Sequence, residues 1–192
     1  MYLSPVMSKY CSIVFVSLLI FLSSFTVQEG DVYYSNAGTV RFASQAPLET
    51  IKAESKKLSG VLDVAKRTYA FTVLIQTFEG FNSPLQKEHF NENYMESDKI
   101  PSASFKGKII EEVDLKTPGT YTVRAKGMMK IHGVEKEMIV KAKLNVKAGS
   151  ITVDSGFSVP LRDFNINVPN IVNQKIASEI LVDVKMDMIP KK

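Results

Sequence analysis

Met138-Ile139-Val140-Lys141-Ala142-Lys143-Leu144-Asn145-Val146-Lys147 alternates apolar and polar side chains from Val140 to its end. Only a strand, whose successive side chains point to opposite faces, puts Met138, Val140, Ala142, Leu144 and Val146 on one side and the lysines on the other. Near the C-terminal end Ile180, Val182, Val184, Met186 and Met188 alternate in the same way with Asp183, Lys185 and Asp187. Tyr69, Phe71, Val73 and Ile75 share a face opposite Thr72 and Gln76, and Tyr121, Val123 and Ala125 share one opposite Thr122, Arg124 and Lys126. From Thr39 onward, half-buried antiparallel strands are the dominant reading.

Turn signals separate these strands at Lys57 to Gly60, Asp63 to Arg67, Thr117-Pro118-Gly119, His132-Gly133 and Ala148-Gly149-Ser150. Most intervals are too short for the helical crossover that a parallel sheet needs, so the strands form an antiparallel meander. Seven or eight strands with one or two short helices fit a closed or nearly closed barrel, because closure removes exposed edges. The fold class is mainly β, a single antiparallel barrel of about eight strands. Such a barrel either fills its interior with side chains or encloses one small ligand, and alternation does not distinguish the two.

Composition agrees with one globular domain: 192 residues, 45% hydrophobic and 23% charged, with 24 Lys plus Arg against 20 Asp plus Glu. The basic residues are scattered, so no nucleic-acid partner is expected. A single cysteine, Cys11, leaves no disulfide framework and no cysteine-based metal site within the chain.

Ile13 to Phe25 is an apolar run interrupted only by serines, with Lys9 before it and no acidic residue before Glu29. Thirteen residues span about 20 Å as a helix, short of the roughly 30 Å hydrocarbon core of a bilayer. Residues 1–26 are therefore read as a cleaved signal peptide and 27–192 as the exported domain, periplasmic or secreted. Cys11 precedes the run and is not the lipidated cysteine of a lipoprotein.

One segment breaks the strand pattern. Ser83-Pro84-Leu85-Gln86 supplies an N-cap, a proline at the first helical position and a glutamine suited to a capping box, which predicts a short helix ending near Tyr94 to Ser97. Leu85, His89 and Phe90 lie on one stripe expected to pack on the sheet. A second helical turn is expected near Val172 to Ala177. Phe78, Phe81, Phe90, Tyr94 and Phe105 bring more apolar area to this region than docking one short helix requires. They either seal a barrel end or line a mouth through which an elongated apolar ligand enters.

Catalytic chemistry is hard to find. His89 and His132 are not in metal-ligand spacing, and no phosphate loop, nucleophile elbow or zinc-protease helix is present. Glu111, Glu112 and Asp114, and likewise Glu135, Lys136 and Glu137, read as solvated turns. No enzyme and no cofactor is expected; a metal site would need both histidines and carboxylates gathered by the fold.

In order along the chain stand Gly38-Thr39-Val40-Arg41-Phe42, then Phe78-Glu79-Gly80-Phe81-Asn82-Ser83 leading to Lys87-Glu88-His89-Phe90, and Ile100-Pro101-Ser102-Ala103-Ser104-Phe105 with Gly107. Later come Gly119-Thr120-Tyr121-Thr122-Val123, Gly127 before Ile131-His132-Gly133-Val134-Glu135-Lys136, and Phe157-Ser158-Val159-Pro160-Leu161 with Asp163-Phe164-Asn165-Ile166. This set resembles the YceI family of exported lipid-binding proteins over most of the mature chain. The segment Val159-Pro160-Leu161-Arg162 departs from the more polar strand of many relatives, and so bears on cavity shape.

The resemblance implies a lipocalin-like barrel holding a long polyisoprenoid or isoprenoid quinone, with no catalytic step and no cofactor beyond the bound lipid. It implies cavity contacts from Phe71, Val73, Ile75, Phe78, Phe81 and Phe90, and from Phe105, Tyr121, Val123, Val140, Leu144 and Phe157. His89 or His132 would meet a polar head group at the mouth. Transient membrane contact and a homodimer are the further partners it allows. The competing reading is an exported stress-related or interaction protein with a filled barrel and no lipid.

Overall fold

The computed structural model describes residues 31–191, so the signal-peptide reading of residues 1–26 lies outside the described residues. Eight strands close on themselves in sequence order, every neighbouring pair antiparallel. They are β1 (Val32–Gln45), β2 (Thr50–Asp63), β3 (Thr68–Leu74), β4 (Ser102–Ile109), β5 (Gly119–Ile131), β6 (Val134–Lys147), β7 (Ser150–Pro160) and β8 (Glu179–Pro190). Closure comes from β1 pairing with β8, Thr39 opposite Lys185 through Ala43 opposite Leu181. The expected barrel is the observed one.

The up-and-down order sorts the connections to two ends. One end carries the β1–β2 turn, the segment between β3 and β4, the β5–β6 turn and the long β7–β8 connection. At the other lie the β2–β3 turn, residues 110–118 and the β6–β7 turn. Helix α1 (Pro84–His89) and a π turn over Phe90–Tyr94 belong to the first end. Ser83 Oγ accepts from the Gln86 N–H at 3.2 Å, the expected cap, but Gln86 Oε1 accepts from the Asn82 N–H at 3.1 Å rather than from that of Ser83. The capping box is thus displaced by one residue. Near Val172 the expected second turn is a short 3-10 element, Asn170–Val172.

Three expectations need correction. Lys57 to Gly60 is not a turn: β2 runs through it, with Leu58 and Gly60 buried on the inner face. Gly60 stands opposite Phe71, and a Cβ there would lie 2.3 Å from the Phe71 ring, so the glycine makes room for an aromatic side chain rather than for a bend. The first strand begins at Val32, seven residues before Thr39, because a bulge between Ser35 and Val40 interrupts its alternation. Leu85, placed on the docking stripe of the helix, is exposed instead.

The β5–β6 connection is a two-residue hairpin turn in which both His132 (φ 50°) and Gly133 (φ 76°) take positive φ. That pattern matches the right-handed twist of the flanking strands. The opposite end of the barrel is closed by residues 110–118. Leu115 is 1% exposed and packs into a core shared with Leu62, Val123, Val146, Ile151 and Met188. Glu111 ties this segment to β5, its two carboxylate oxygens accepting from the Arg124 backbone N–H at 2.6 Å and from Arg124 Nε at 2.7 Å. Those bonds hold its carboxyl below the usual carboxylate range. Asp114 accepts from the Lys116 N–H and the Thr117 hydroxyl, and the Tyr121 hydroxyl donates to the Thr117 carbonyl. The acids of this region therefore fix a plug.

Four inward glycines shape the middle of the barrel. A Cβ on Gly38 would meet Met186 Cε at 2.4 Å, and Gly107 and Gly127 face each other across β4 and β5. A Cβ on Gly127 would fall 2.2 Å from the Lys106 carbonyl oxygen, which is backbone and has little room to move. Gly127→Ala is expected to lower stability by about 1–3 kcal/mol, read as an earlier midpoint in urea unfolding.

Candidate functional site

The half of the barrel away from the plug is not filled. A cavity of about 480 Å³ occupies it, within the range of about 300–1,000 Å³ usual for small-molecule sites. Its floor is the upper surface of the plugged core: Val40, Leu58, Tyr69 and Val153 belong to both. The walls come from alternate residues of successive strands, among them Val73, Phe105, Met129, Ala142, Phe157 and Val182. Since period-2 alternation turns every second side chain inward, the same pattern that predicts the strands supplies the apolar lining.

Toward the mouth four phenylalanines from different elements meet. Phe90, at the end of α1, stacks on Phe42 of β1 with ring centroids 5.3 Å apart and planes 21° apart, and Phe78 and Phe81 lie within 6 Å of both. Centroid spacings in this range are favourable aromatic contacts. The cluster anchors the helix beside the opening without closing it, since all four rings also line the cavity.

The charged and amide side chains of the lining, Glu49, Gln86, His89 and Lys175, gather at the rim with Ser44, while Thr72, Ser104 and Ser155 bring hydroxyls to the wall strands. Glu49 Oε1 accepts from Gln86 Nε2 at 2.6 Å and from Asn82 Nδ2 at 3.2 Å, which joins the β1–β2 turn to the start of α1. Ser44 Oγ accepts from the Ala177 N–H at 2.9 Å, and the Leu48 N–H donates to the Gln174 carbonyl at 2.9 Å, so the β7–β8 connection is stitched to the same turn. The rim is therefore one hydrogen-bonded belt made from three segments distant in sequence.

Deeper in, the polar side chains of the lining are hydroxyls alone, those of Tyr69, Thr72, Ser104 and Ser155. Tyr69 is 6% exposed, and its hydroxyl is a buried side-chain polar atom without a hydrogen-bond partner among the described residues. Burial pushes its ionisation above the usual phenol range, so the hydroxyl is neutral and a donor. Leaving such a group unpaired costs about 1–3 kcal/mol.

Of the residues assigned to the cavity from the sequence, Phe71, Val73, Ile75, Phe78 and Phe81 line it, as do Phe90, Phe105, Val140 and Phe157. Tyr121, Val123 and Leu144 do not. They face inward, but below the floor, where Val123 and Leu144 are buried in the plugged core and Tyr121 packs against it. Ile75 lines the cavity from a 3-10 turn rather than from β3.

The histidines part company. His89 is exposed at the rim. His132 lies away from the cavity, its Nδ1 3.2 Å from the Phe164 carbonyl and its Nε2 3.1 Å from Glu96 Oε2, so it latches the β5–β6 turn to its neighbours. Among the described residues no group of three His, Cys, Asp or Glu side chains is placed to hold a metal ion.

Val40, Phe42, Leu58, Val182 and Val184 were not assigned from the sequence, although the parity of Val40 and Phe42, and of Ile180 to Val184, carries the signal. Lys175 and Glu49 had none, since their place at the rim arises only from the folded belt. Phe90→Ala is expected to remove the stacking partner of Phe42, cost about 3 kcal/mol of stability, and speed release of a hydrophobic fluorescent probe in stopped-flow measurements.

Comparison with known proteins places this geometry. The family model described as YceI-like domain matches residues 32–188. No curated protein matches the chain. Among solved structures, the barrel is similar to a polyisoprenoid binding domain from Saccharophagus degradans implicated in plant cell wall breakdown, at TM-score 0.70 and 12% identity, covering 84% of this chain and 99% of that one. It is also similar to Burkholderia cenocepacia BcnA, at TM-score 0.64 and 16% identity over 78% of this chain and 95% of that one. A Campylobacter jejuni YceI protein aligns at TM-score 0.59 and 17% identity, over 72% and 84%.

Proposed function

The chain belongs to the YceI-like domain family, and from that premise we propose that it binds a long apolar lipid, a polyisoprenoid or isoprenoid quinone, in the barrel cavity for transport or storage, without catalysis. The observation that carries this reading is the cavity itself: about 480 Å³, with a lining that is mostly apolar and carries its charged side chains at the rim. A filled-barrel interaction protein has no use for such a space, because interiors otherwise pack to the density of organic crystals. The Saccharophagus degradans neighbour, described as a polyisoprenoid binding domain, supports the ligand class.

Affinity in such a site comes from burial, about 0.8 kcal/mol for each methylene taken out of water. Alternate residues of β7 from Val153 to Val159 line the cavity, about 20 Å of strand, or roughly 15 Å along the axis at the usual barrel tilt. A longer chain must double back or emerge between the rim segments.

The rim supports membrane contact as the route of loading. Leu48, Leu85 and Ile171 are exposed, Ile171 to 92%. Each is the sequence neighbour of a lining residue, respectively Glu49, Gln86 and Val172. Three apolar side chains set around an opening suit shallow insertion among lipids. The apolar leader at Ile13 to Phe25 supports an exported protein that works beside a membrane.

Mass spectrometry of organic extracts is the test, comparing protein purified from its native compartment with protein refolded from denaturant. A near-stoichiometric isoprenoid lipid in the native sample alone is expected. If both are empty and the refolded protein takes up no such lipid, the carrier reading fails. Ala142→Trp, which fills the cavity from its wall, is expected to retain the barrel by circular dichroism and to reduce recovered lipid at least tenfold.

A further inference from the structure

Four of the described non-glycine residues take positive φ, and three of them belong to segments that meet at one histidine. His132 (φ 50°) is in the β5–β6 turn, Glu96 (φ 44°) lies just past the π turn, and Asn165 (φ 56°) follows Phe164 in the β7–β8 connection. Backbone of this kind costs about 1–3 kcal/mol per residue and persists only where neighbouring contacts impose it. The contacts that join the three segments are made by the two ring nitrogens of His132, one 3.2 Å from the Phe164 carbonyl and the other 3.1 Å from Glu96 Oε2.

Both partners are acceptors. A carbonyl oxygen has no proton to give, and the Glu96 carboxyl is held below the usual carboxylate range, first by Lys99, which donates to its other oxygen at 2.8 Å, and then by His132. A neutral imidazole has one N–H and satisfies one of the two oxygens, leaving a lone pair turned on the other. The latch is therefore complete only when the ring carries both protons. Other charged groups on these segments are engaged elsewhere: Lys130 pairs with Glu135 across the hairpin, Arg162 with Asp163 next to Phe164, and Asp98 accepts from Gln76, while Lys136 is exposed on β6.

What the latch holds is one side of the cavity. Ile75, Met95, Met129, Val159, Phe164 and Ile166 form a second buried cluster, and all but Phe164 line the cavity. Met95 precedes Glu96, and its N–H donates to the Phe90 carbonyl at 2.9 Å, which ties the latch to the aromatic rings at the mouth. Resting on the lipid reading above, we propose that the protonation state of His132 sets the rate at which lipid leaves. The doubly protonated ring fixes the Met95 and Ile166 side of the cavity; loss of one proton to water breaks one of its two bonds, frees that side and speeds release. The stabilisation is present at low pH and is lost as pH rises through the histidine range.

Release of Nile red, a neutral apolar fluorophore, is followed by stopped flow at about pH 5.5 and about pH 8.5, which bracket the ordinary histidine value of about 6.5. The wild type is expected to release it roughly three- to tenfold faster at the higher pH. His132→Gln, which donates on one side only, is expected to release fast at both. Glu96→Gln, whose amide turns its oxygen or its nitrogen to the ring and so pairs with either form, is expected to flatten the response, and His89→Gln to keep it. Equal release by the wild type at both pH values overturns the proposal, as does a response that survives in His132→Gln or disappears in His89→Gln. NMR of the His132 ring in the unloaded protein separates the latch from its ligand: its titration is expected to coincide with the rise in release rate, and a ring that keeps one protonation state across the interval overturns the proposal. If the wild type takes up no Nile red and its native extracts hold no lipid, the lipid reading itself fails and takes this inference with it.

Discussion

Pairing of β1 with β8 is the constraint on which the rest of the molecule depends. Once those strands join, the backbone donors and acceptors along the ladder are satisfied around the ring, and no edge is left to pair with another chain. A wall held together by its own hydrogen bonds does not need a packed interior at every level. The plugged end supplies the apolar burial, with Leu115, Ile151 and Met188 nearly inaccessible, and this frees the other half to stay open. A helical bundle could not divide its labour in this way, because its elements are joined only through the core they would have to give up.

Where the filled half ends is set by glycines as much as by large side chains. Gly60 admits the Phe71 ring, Gly38 admits Met186, and the Gly107–Gly127 pair admits Tyr69. Each is a place where the wall is thinned so that a side chain from a neighbouring strand can lie across it. The floor is therefore built from long side chains resting in shallow notches. This brings the Tyr69 and Phe71 rings to the floor beside the aliphatic tips of Val40, Leu58 and Val153.

Much of this was legible in the sequence, and what was not follows from one geometric fact. Alternation states whether a residue faces in or out but not its height along the barrel, which depends on register and stagger. Phe71, Val73 and Phe157 and the inward-facing Val123 and Leu144 have the same parity signal, yet the first three meet the cavity and the last two meet the plug. Gly60 looked like a turn because glycine is a strong turn signal, and nothing in a linear reading reveals the ring that lies over it. The rim was illegible for a different reason. Glu49, Gln86 and Lys175 meet there through a belt of hydrogen bonds between the first hairpin, the helix and the last connection. Each alone is an ordinary exposed polar residue. His132 was readable as a turn residue with positive φ, and its role as a latch to Glu96 and Phe164 followed only once the ends of the barrel were known.

An apolar cavity gives affinity without direction, since burial rewards every orientation of a chain nearly alike. Orientation has to come from the few places where a polar atom is fixed, and this barrel concentrates its charged and amide groups at the rim. At the rim the polar groups are wet, and Glu49 and Gln86 are already engaged with one another, so a head group there displaces water for little gain. At the floor the Tyr69 hydroxyl is sealed against the backbone of Gly107 and Gly127, so the surface it offers the cavity is its ring. The balance between the two ends therefore turns on desolvation. A charged head is far too expensive to carry to the floor and must remain at the rim. A neutral head loses far less hydration on the way down than a charged one. An apolar cavity of this kind therefore discriminates against charged head groups by desolvation alone, with no charge needed on its walls.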